Sequence, residues 1–332
     1  MPTPSDTQDA PHDHSPPLRV LQVARVPTQS SGDPDWLIES LWAYQAVGVL
    51  GGSPKSCKTF LALEMALAVA TGSPCLGQFR VTTPGPVLVF AAEDDPLKVR
   101  ARLHGLARAR GVDFDALPVF LILSEQLRLD LPRDQARLVD AIQTHRPRLL
   151  VLDPFVRLHR LQENSAQEIS ALLADLRALQ RRFQLAVILV HHVRKTNGLA
   201  SGQDLRGSGD LWAWGDSFLY LQRYHEQLRL TVEHRAARAP DPFTLCLHDD
   251  DPVHLQVDDD APPPATRPNT APRHDTLAQQ VLSALRDHAA SLTQEQLRAR
   301  LKVRNQSLTA VLRQLGEAGS VVRTPHGWRL AP

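Results

Sequence analysis

The stretch Gly51-Gly52-Ser53-Pro54-Lys55-Ser56-Cys57-Lys58-Thr59 is the part of this chain best equipped for chemistry. An apolar run, residues 46–50, precedes it, and an apolar-rich helical pattern, residues 60–67, follows. Strand, glycine-rich loop and helix in that order form a phosphate-binding P-loop. The loop's N–H groups wrap a polyphosphate, and the helix N-terminus adds partial positive charge. Gly52, Ser53, Pro54, Lys55, Ser56, Cys57, Lys58, Thr59 and Phe60 are therefore the expected cradle. Lys58 would reach the β- and γ-phosphates, and the Thr59 hydroxyl would ligate Mg²⁺. One position departs from the pattern G-x-x-x-x-G-K-[ST]: Cys57 stands where a second glycine is expected, at a point where backbone and phosphate come close. An ordinary glycine-rich strand-to-helix turn is the alternative, and the rest of the chain has to decide.

Two further apolar runs end in acids. Residues 149–152 lead into Asp153-Pro154, and residues 87–91 lead through Ala92 into Glu93-Asp94-Asp95. With its strand placed beside the P-loop strand, Asp153 would hold the hydrated Mg²⁺. Glu93, first after its strand, is the candidate base for the water that attacks a γ-phosphate. Asp94 and Asp95 are equally suited to capping the helix that begins near Pro96. A third run, residues 185–190, ends in His191-His192. Adjacent residues on a strand point to opposite faces, so the pair is no chelate. His191 is the expected γ-phosphate sensor, ahead of His192. Residues 194–209 form a glycine-rich basic loop with Lys195 and Arg206, suited to nucleic-acid phosphates or simply to the surface.

These residues need a frame. From Trp36 to Val257, apolar strand-like runs alternate with helical patterns, which predicts an α/β domain with a mainly parallel sheet. Strands are expected at 46–50, 87–91, 119–123, 149–152, 185–190 and 217–221, with an antiparallel extension at 228–233 and 243–247. Residues 1–33, rich in Pro, Asp, Ser, Thr and His, read as a disordered tail and not as a secretory leader. Residues 258–275 read as an acidic, proline-rich linker. Residues 276–332 carry three helical patterns and a hairpin, the outline of a winged helix. They hold eight basic and three acidic residues, a net of +5, against +1 for the whole chain. That suits phosphate contact through Arg304, Gln306, Ser307, Thr309 and Arg313 on the third helix, and it suits protein docking too. Three unpaired cysteines and no apolar membrane-length segment point to the cytoplasm.

The order of P-loop, strand plus Glu, strand plus Asp-Pro, strand plus His-His, then Asp204-Leu205-Arg206-Gly207-Ser208-Gly209, resembles AAA family ATPases of the RecA/DnaB superfamily. It most resembles the RepA-like hexameric replicative helicases, and the flanking Trp36-Leu37-Ile38 and Ala91-Ala92-Glu93-Asp94-Asp95 fit that group. The resemblance covers residues 36–247, and Cys57 is its clearest departure. It implies a RecA-like fold with ATP and Mg²⁺ as cofactors, and a homo-oligomer, hexamer favoured, that draws single-stranded DNA through a central channel. Duplex DNA would meet the winged helix. Lys58 and Thr59 would be the Walker A pair, Asp153 the Walker B acid and Glu93 the catalytic glutamate. His191 stands where a sensing glutamine is frequent. A neighbouring subunit would supply an arginine finger, Arg235 first and Arg238 second. Arg235 on an edge strand equally suits a solvated role that blocks aggregation. A nucleotide-gated DNA-binding regulator or loader, with slow or no hydrolysis, is the rival reading that Cys57 motivates.

Overall fold

The computed structural model describes residues 22–25, 36–124, 126–161, 166–192, 209–224, 227–248, 251–258, 277–286, 291–301, 305–317, 319–325 and 327–331. The chain divides into two compact units, residues 1–261 and 262–332. The expected tail lies outside the described residues except for 22–25, as do the linker except for Asp258 and the basic loop up to residue 208.

In the first unit β1 (Trp36–Ile38) and β2 (Trp42–Ala43) make a small hairpin. They are followed by β3 (Val47–Gly52), α1 (Lys58–Thr71), β4 (Val87–Ala91), α2 (Pro96–Arg110), β5 (Val119–Leu121), α3 (Pro132–His145) and β6 (Leu149–Asp153). A one-turn 3₁₀ segment, Phe155–Arg157, leads on to α4 (Ala166–Phe183), β7 (Ala186–His192), α5 (Gly209–Trp214), β8 (Ser217–Tyr224), β9 (Gln227–His234), β10 (Phe243–His248) and β11 (His254–Val257). The main sheet has nine strands in the order β11-β10-β9-β8-β3-β7-β6-β4-β5. From β8 to β5 every pair is parallel, and β9, β10 and β11 extend it antiparallel. This is a RecA-like α/β sheet. One expectation is corrected: the strand that ends in Asp153 does not lie beside the P-loop strand. β7 runs between them, in register with β3 from Val47↔Val187 to Gly52↔His192.

The parallel strands are apolar throughout because both faces are covered. Alternate residues feed two cores. Leu50, Val87, Val89, Val151 and Ile188 pack on α1 and α2. Val49, Leu88, Phe90, Leu152 and Leu189 pack on Leu138 and Ile142 of α3 and Leu172 and Leu176 of α4. Asp95 caps α2 by accepting from the Leu97 N–H at 2.7 Å, with Pro96 in the first turn.

One charge lies deep in the first core. Glu64 of α1 is 1% exposed. It accepts from the Leu76 N–H at 2.7 Å and is paired with Arg110 of α2. Burial raises its pKa, and Arg110 opposes that rise. Removing one partner of such a pair leaves a bare buried charge. Arg110→Ala should therefore lower stability by about 3–5 kcal/mol, read as the denaturant midpoint. The loss should shrink in Glu64→Gln/Arg110→Ala, where no charge remains to strand.

In the second unit α6 (Leu277–Arg286), α7 (Gln294–Leu301) and α8 (Asn305–Glu317) precede the hairpin of β12 (Val321–Thr324) and β13 (Gly327–Leu330). Thr293 and Gln296 form a capping box, with reciprocal bonds of 2.8 and 3.2 Å. Val281, Leu285, Leu297, Leu308, Leu312 and Val321 make a small core, and Trp328 packs against it.

Candidate active site

β3 ends at the centre of the sheet, and the turn into α1 is built by close contacts. A Cβ on Gly52 would stand 2.3 Å from the Leu221 carbonyl oxygen and 2.8 Å from Ser56 Oγ, so only glycine fits. The Ser53 carbonyl accepts from Ser56 Oγ and from Lys58 Nζ, each at 2.8 Å. Pro54 and Lys55 form the exposed crest of the loop. Cys57 takes the glycine-type conformation outright, with φ 64° and ψ 23°. That costs an L-residue about 1–2 kcal/mol. Arg223 at the end of β8 donates to its sulfur at 3.3 Å.

Beside this loop opens a cavity of about 650 Å³. Its inner wall joins Lys55 through Phe60 to Glu93, Asp94, Asp153 and His192. Its outer wall consists of Ala101, His104 and Gly105 on α2 facing Leu247 and Val253 around the β10–β11 turn. At the rim, Arg108 Nη1 donates to both carboxylate oxygens of Asp251, at 2.8 and 3.0 Å. One end is lined by charge, and the other mixes the small and apolar Ala101, Gly105, Leu247 and Val253 with His104, Arg108 and Asp251.

Strand order explains the inner wall. The carboxyl ends of β3, β7, β6 and β4 lie side by side, where ligands bind in open α/β sheets. The Ala92 N–H donates to the Asp153 carbonyl at 2.7 Å, which fastens the ends of β4 and β6 together. Lys58 is 5% exposed and Asp153 7%. Burial lowers the pKa of Lys58, against the pull of Asp153. Burial pushes Asp153 up to about 6, opposed by a hydrogen bond from Thr59 and reinforced by Asp94. Asp153 Oδ2 is buried without a hydrogen-bond partner. A carboxylate bonded to the Thr59 hydroxyl and left with one orphaned oxygen fits a hard divalent cation, and Thr59 and Asp153 are the residues that would hold Mg²⁺.

The remaining candidates fall differently. Glu93 pairs with Arg157 at 2.9 Å and stands 4.0 Å from His192. Asp94 is engaged by Arg102. Of the two histidines, His192 lines the cavity, whereas the His191 ring lies 6.2 Å from that of Phe155. The strand's alternation puts the second histidine on the cavity side. Arg235 lies just beyond β9, where His234 pairs with Ser217, at the end of the sheet opposite the P-loop. It bonds the Ala213 carbonyl and lies 3.6 Å from Asp216. Arg238 is exposed on the following turn. Neither residue lines its own chain's cavity. Arg206 and Lys195 fall outside the described residues. Arg157, His104 and the β10–β11 turn went unnoticed in the sequence, because they belong to no motif and only the folded chain brings them to the site.

A family model described as AAA domain matches residues 13–198, more than half of the chain. Among solved structures, a DnaB-like replicative helicase, described with its interactions with primase, is similar at 15% identity with a TM-score of 0.49. The match covers 62% of this chain and 56% of that one. The chain thus spans little more than half the length of that structure.

A shift of the Asp153 pKa from 3.8 to about 6 corresponds to about 3 kcal/mol. The folded-state value is raised, so the associated stability is fully present below pH 3.8 and is lost as pH rises through 6. Asp153→Asn, free of nucleotide, should therefore melt above the native chain at pH 8. The advantage should fade as pH falls through 6 and vanish near 3.8, as thermal unfolding at graded pH will read out.

Proposed function

The chain belongs to the AAA domain family, and on that premise we propose that it is an ATP-hydrolysing, DNA-associated ring motor, a RepA/DnaB-like helicase or translocase acting in DNA replication. The convergence of Lys58, Thr59, Asp153 and Glu93 on one cavity carries this reading. Lys58 exchanges its bond to the Ser53 carbonyl for one to the β- and γ-phosphates. Thr59 and Asp153 would hold Mg²⁺, which would supply positive charge against the phosphates. Glu93 accepts the proton of the attacking water, and His192 reads the γ-phosphate from the next strand.

Arg235 supports a ring. It stands at the sheet end opposite its own P-loop, so any nucleotide it reaches belongs to a neighbour. Head-to-tail contacts of that kind close into rings, and a hexamer is the state we favour. Single-stranded DNA would pass through the centre, gripped by the basic loop that holds Lys195 and Arg206. The second unit reads as a winged helix that sets α8 against duplex DNA, consistent with the net charge of +5 over residues 276–332. A nucleotide-gated regulator or loader with slow turnover is the second reading, and the left-handed Cys57 in the phosphate cradle favours it.

Mixed assemblies separate the two. Lys58→Ala and Arg235→Ala chains should each be inactive alone while Arg235→Ala still binds ATP. Mixed before assembly, they should recover part of the native turnover, because some interfaces then join an intact P-loop to an intact arginine. No recovery, with full activity in Arg235→Ala alone, contradicts the ring reading.

A further inference from the structure

We propose that Arg157 is a positioning residue for Glu93, holding one carboxylate oxygen so that the other faces the nucleotide. This rests on the reading of Glu93 as the base. Arg157 Nε donates to Glu93 Oε1 at 2.9 Å, and Oε2 lies 4.0 Å from His192 Nε2. Glu93 and His192 both line the cavity, whereas Arg157 does not. The arginine therefore grips the carboxylate from outside the nucleotide space.

A glutamate side chain has three torsions, and Glu93 is 45% exposed, so packing alone leaves it free to turn. A general base works only with an oxygen within hydrogen-bond reach of the proton it takes. Anchoring Oε1 turns Oε2 toward the cavity. In the step served, the water oxygen bonds to the γ-phosphorus as the bond to the β–γ bridging oxygen breaks. ADP leaves with that electron pair, and one water proton passes to Glu93 Oε2.

The anchor is well placed for this work. Arg157 closes the 3₁₀ turn that follows Asp153-Pro154, where its N–H donates to the Pro154 carbonyl at 3.0 Å. Phe155 and Leu158 on either side are 1% and 0% exposed and fix the turn to the core. The turn thus ties the base to the same strand end that presents Asp153. Asp94, which lines the same cavity, is paired with Arg102 instead. The Arg157–Glu93 pair is itself open to solvent, at 62% and 45% exposure, and such pairs add little stability. Its loss should leave the fold intact.

Steady-state ATPase kinetics on the full chain test this with Glu93→Gln, Arg157→Gln, Arg157→Lys and the double Gln variant, each checked for an unchanged melting temperature. Arg157→Gln should lower kcat by about tenfold to a hundredfold, with KM for ATP within about twofold of native. Arg157→Lys should restore part of the rate, and the double variant should be no slower than Glu93→Gln alone. A raised KM at native kcat, a raised kcat, or losses that multiply in the double variant overturns the proposal. A slow Glu93→Gln beside a fully active Arg157→Gln overturns it while leaving Glu93 as base. A native chain without turnover, or Glu93→Gln as fast as native, overturns the reading of Glu93 and this proposal with it.

Discussion

A buried lysine facing a buried aspartate at the end of the central strands is the arrangement around which this molecule is organised. Lys58 and Asp153 are both almost fully covered, and taking charge out of water is costly unless partners are fixed in place. The chain fixes them with backbone. Three parallel strand ends hold the two groups at a set separation, the Ser53 carbonyl occupies the ammonium, and Thr59 occupies one side of the carboxylate. The sheet must then be apolar on both faces so that helices can seal it, and the polar residues can emerge only at the carboxyl edge. A nucleotide phosphate with its cation would complete a site whose charges are already desolvated.

The same constraint explains the distribution of roles along the edge. β3, β7, β6 and β4 lie in that spatial order and each contributes one group: Lys58, His192, Asp153 and Glu93. The opposite end of the sheet carries Arg235 beside Asp216, a residue that also receives Arg177 and the Val47 N–H. One end of the sheet thus carries the cavity and the other an arginine.

The P-loop, Glu93 and Asp153 were legible in the sequence because their chemistry depends on residues adjacent in the chain. A strand, a turn and one acid suffice to signal each. The placement of β7 between β3 and β6 was not legible, since apolar runs do not encode which neighbour they pair with. The choice between His191 and His192 turns on the phase of one strand against the sheet, which a two-residue motif leaves open. Arg157 gave no signal because an arginine after a short turn looks like any solvated arginine until Glu93 is seen beside it. In the second unit the helices were visible from their apolar spacing. Strand β11, four residues bearing two polar side chains, was invisible until its pairing with β10 formed.

Cys57 concentrates what is unusual here. A cysteine holds a left-handed turn that glycine normally fills, at the helix N-terminus where the phosphates belong. This cradle is expected to turn over ATP all the same. ATP hydrolysis with and without single-stranded DNA, comparing the native chain with Lys58→Ala, tests that most directly. Turnover that DNA stimulates and Lys58→Ala abolishes is the expected result. ATP binding without turnover, unaltered by DNA or by Lys58→Ala, would contradict it and favour the nucleotide-gated regulator.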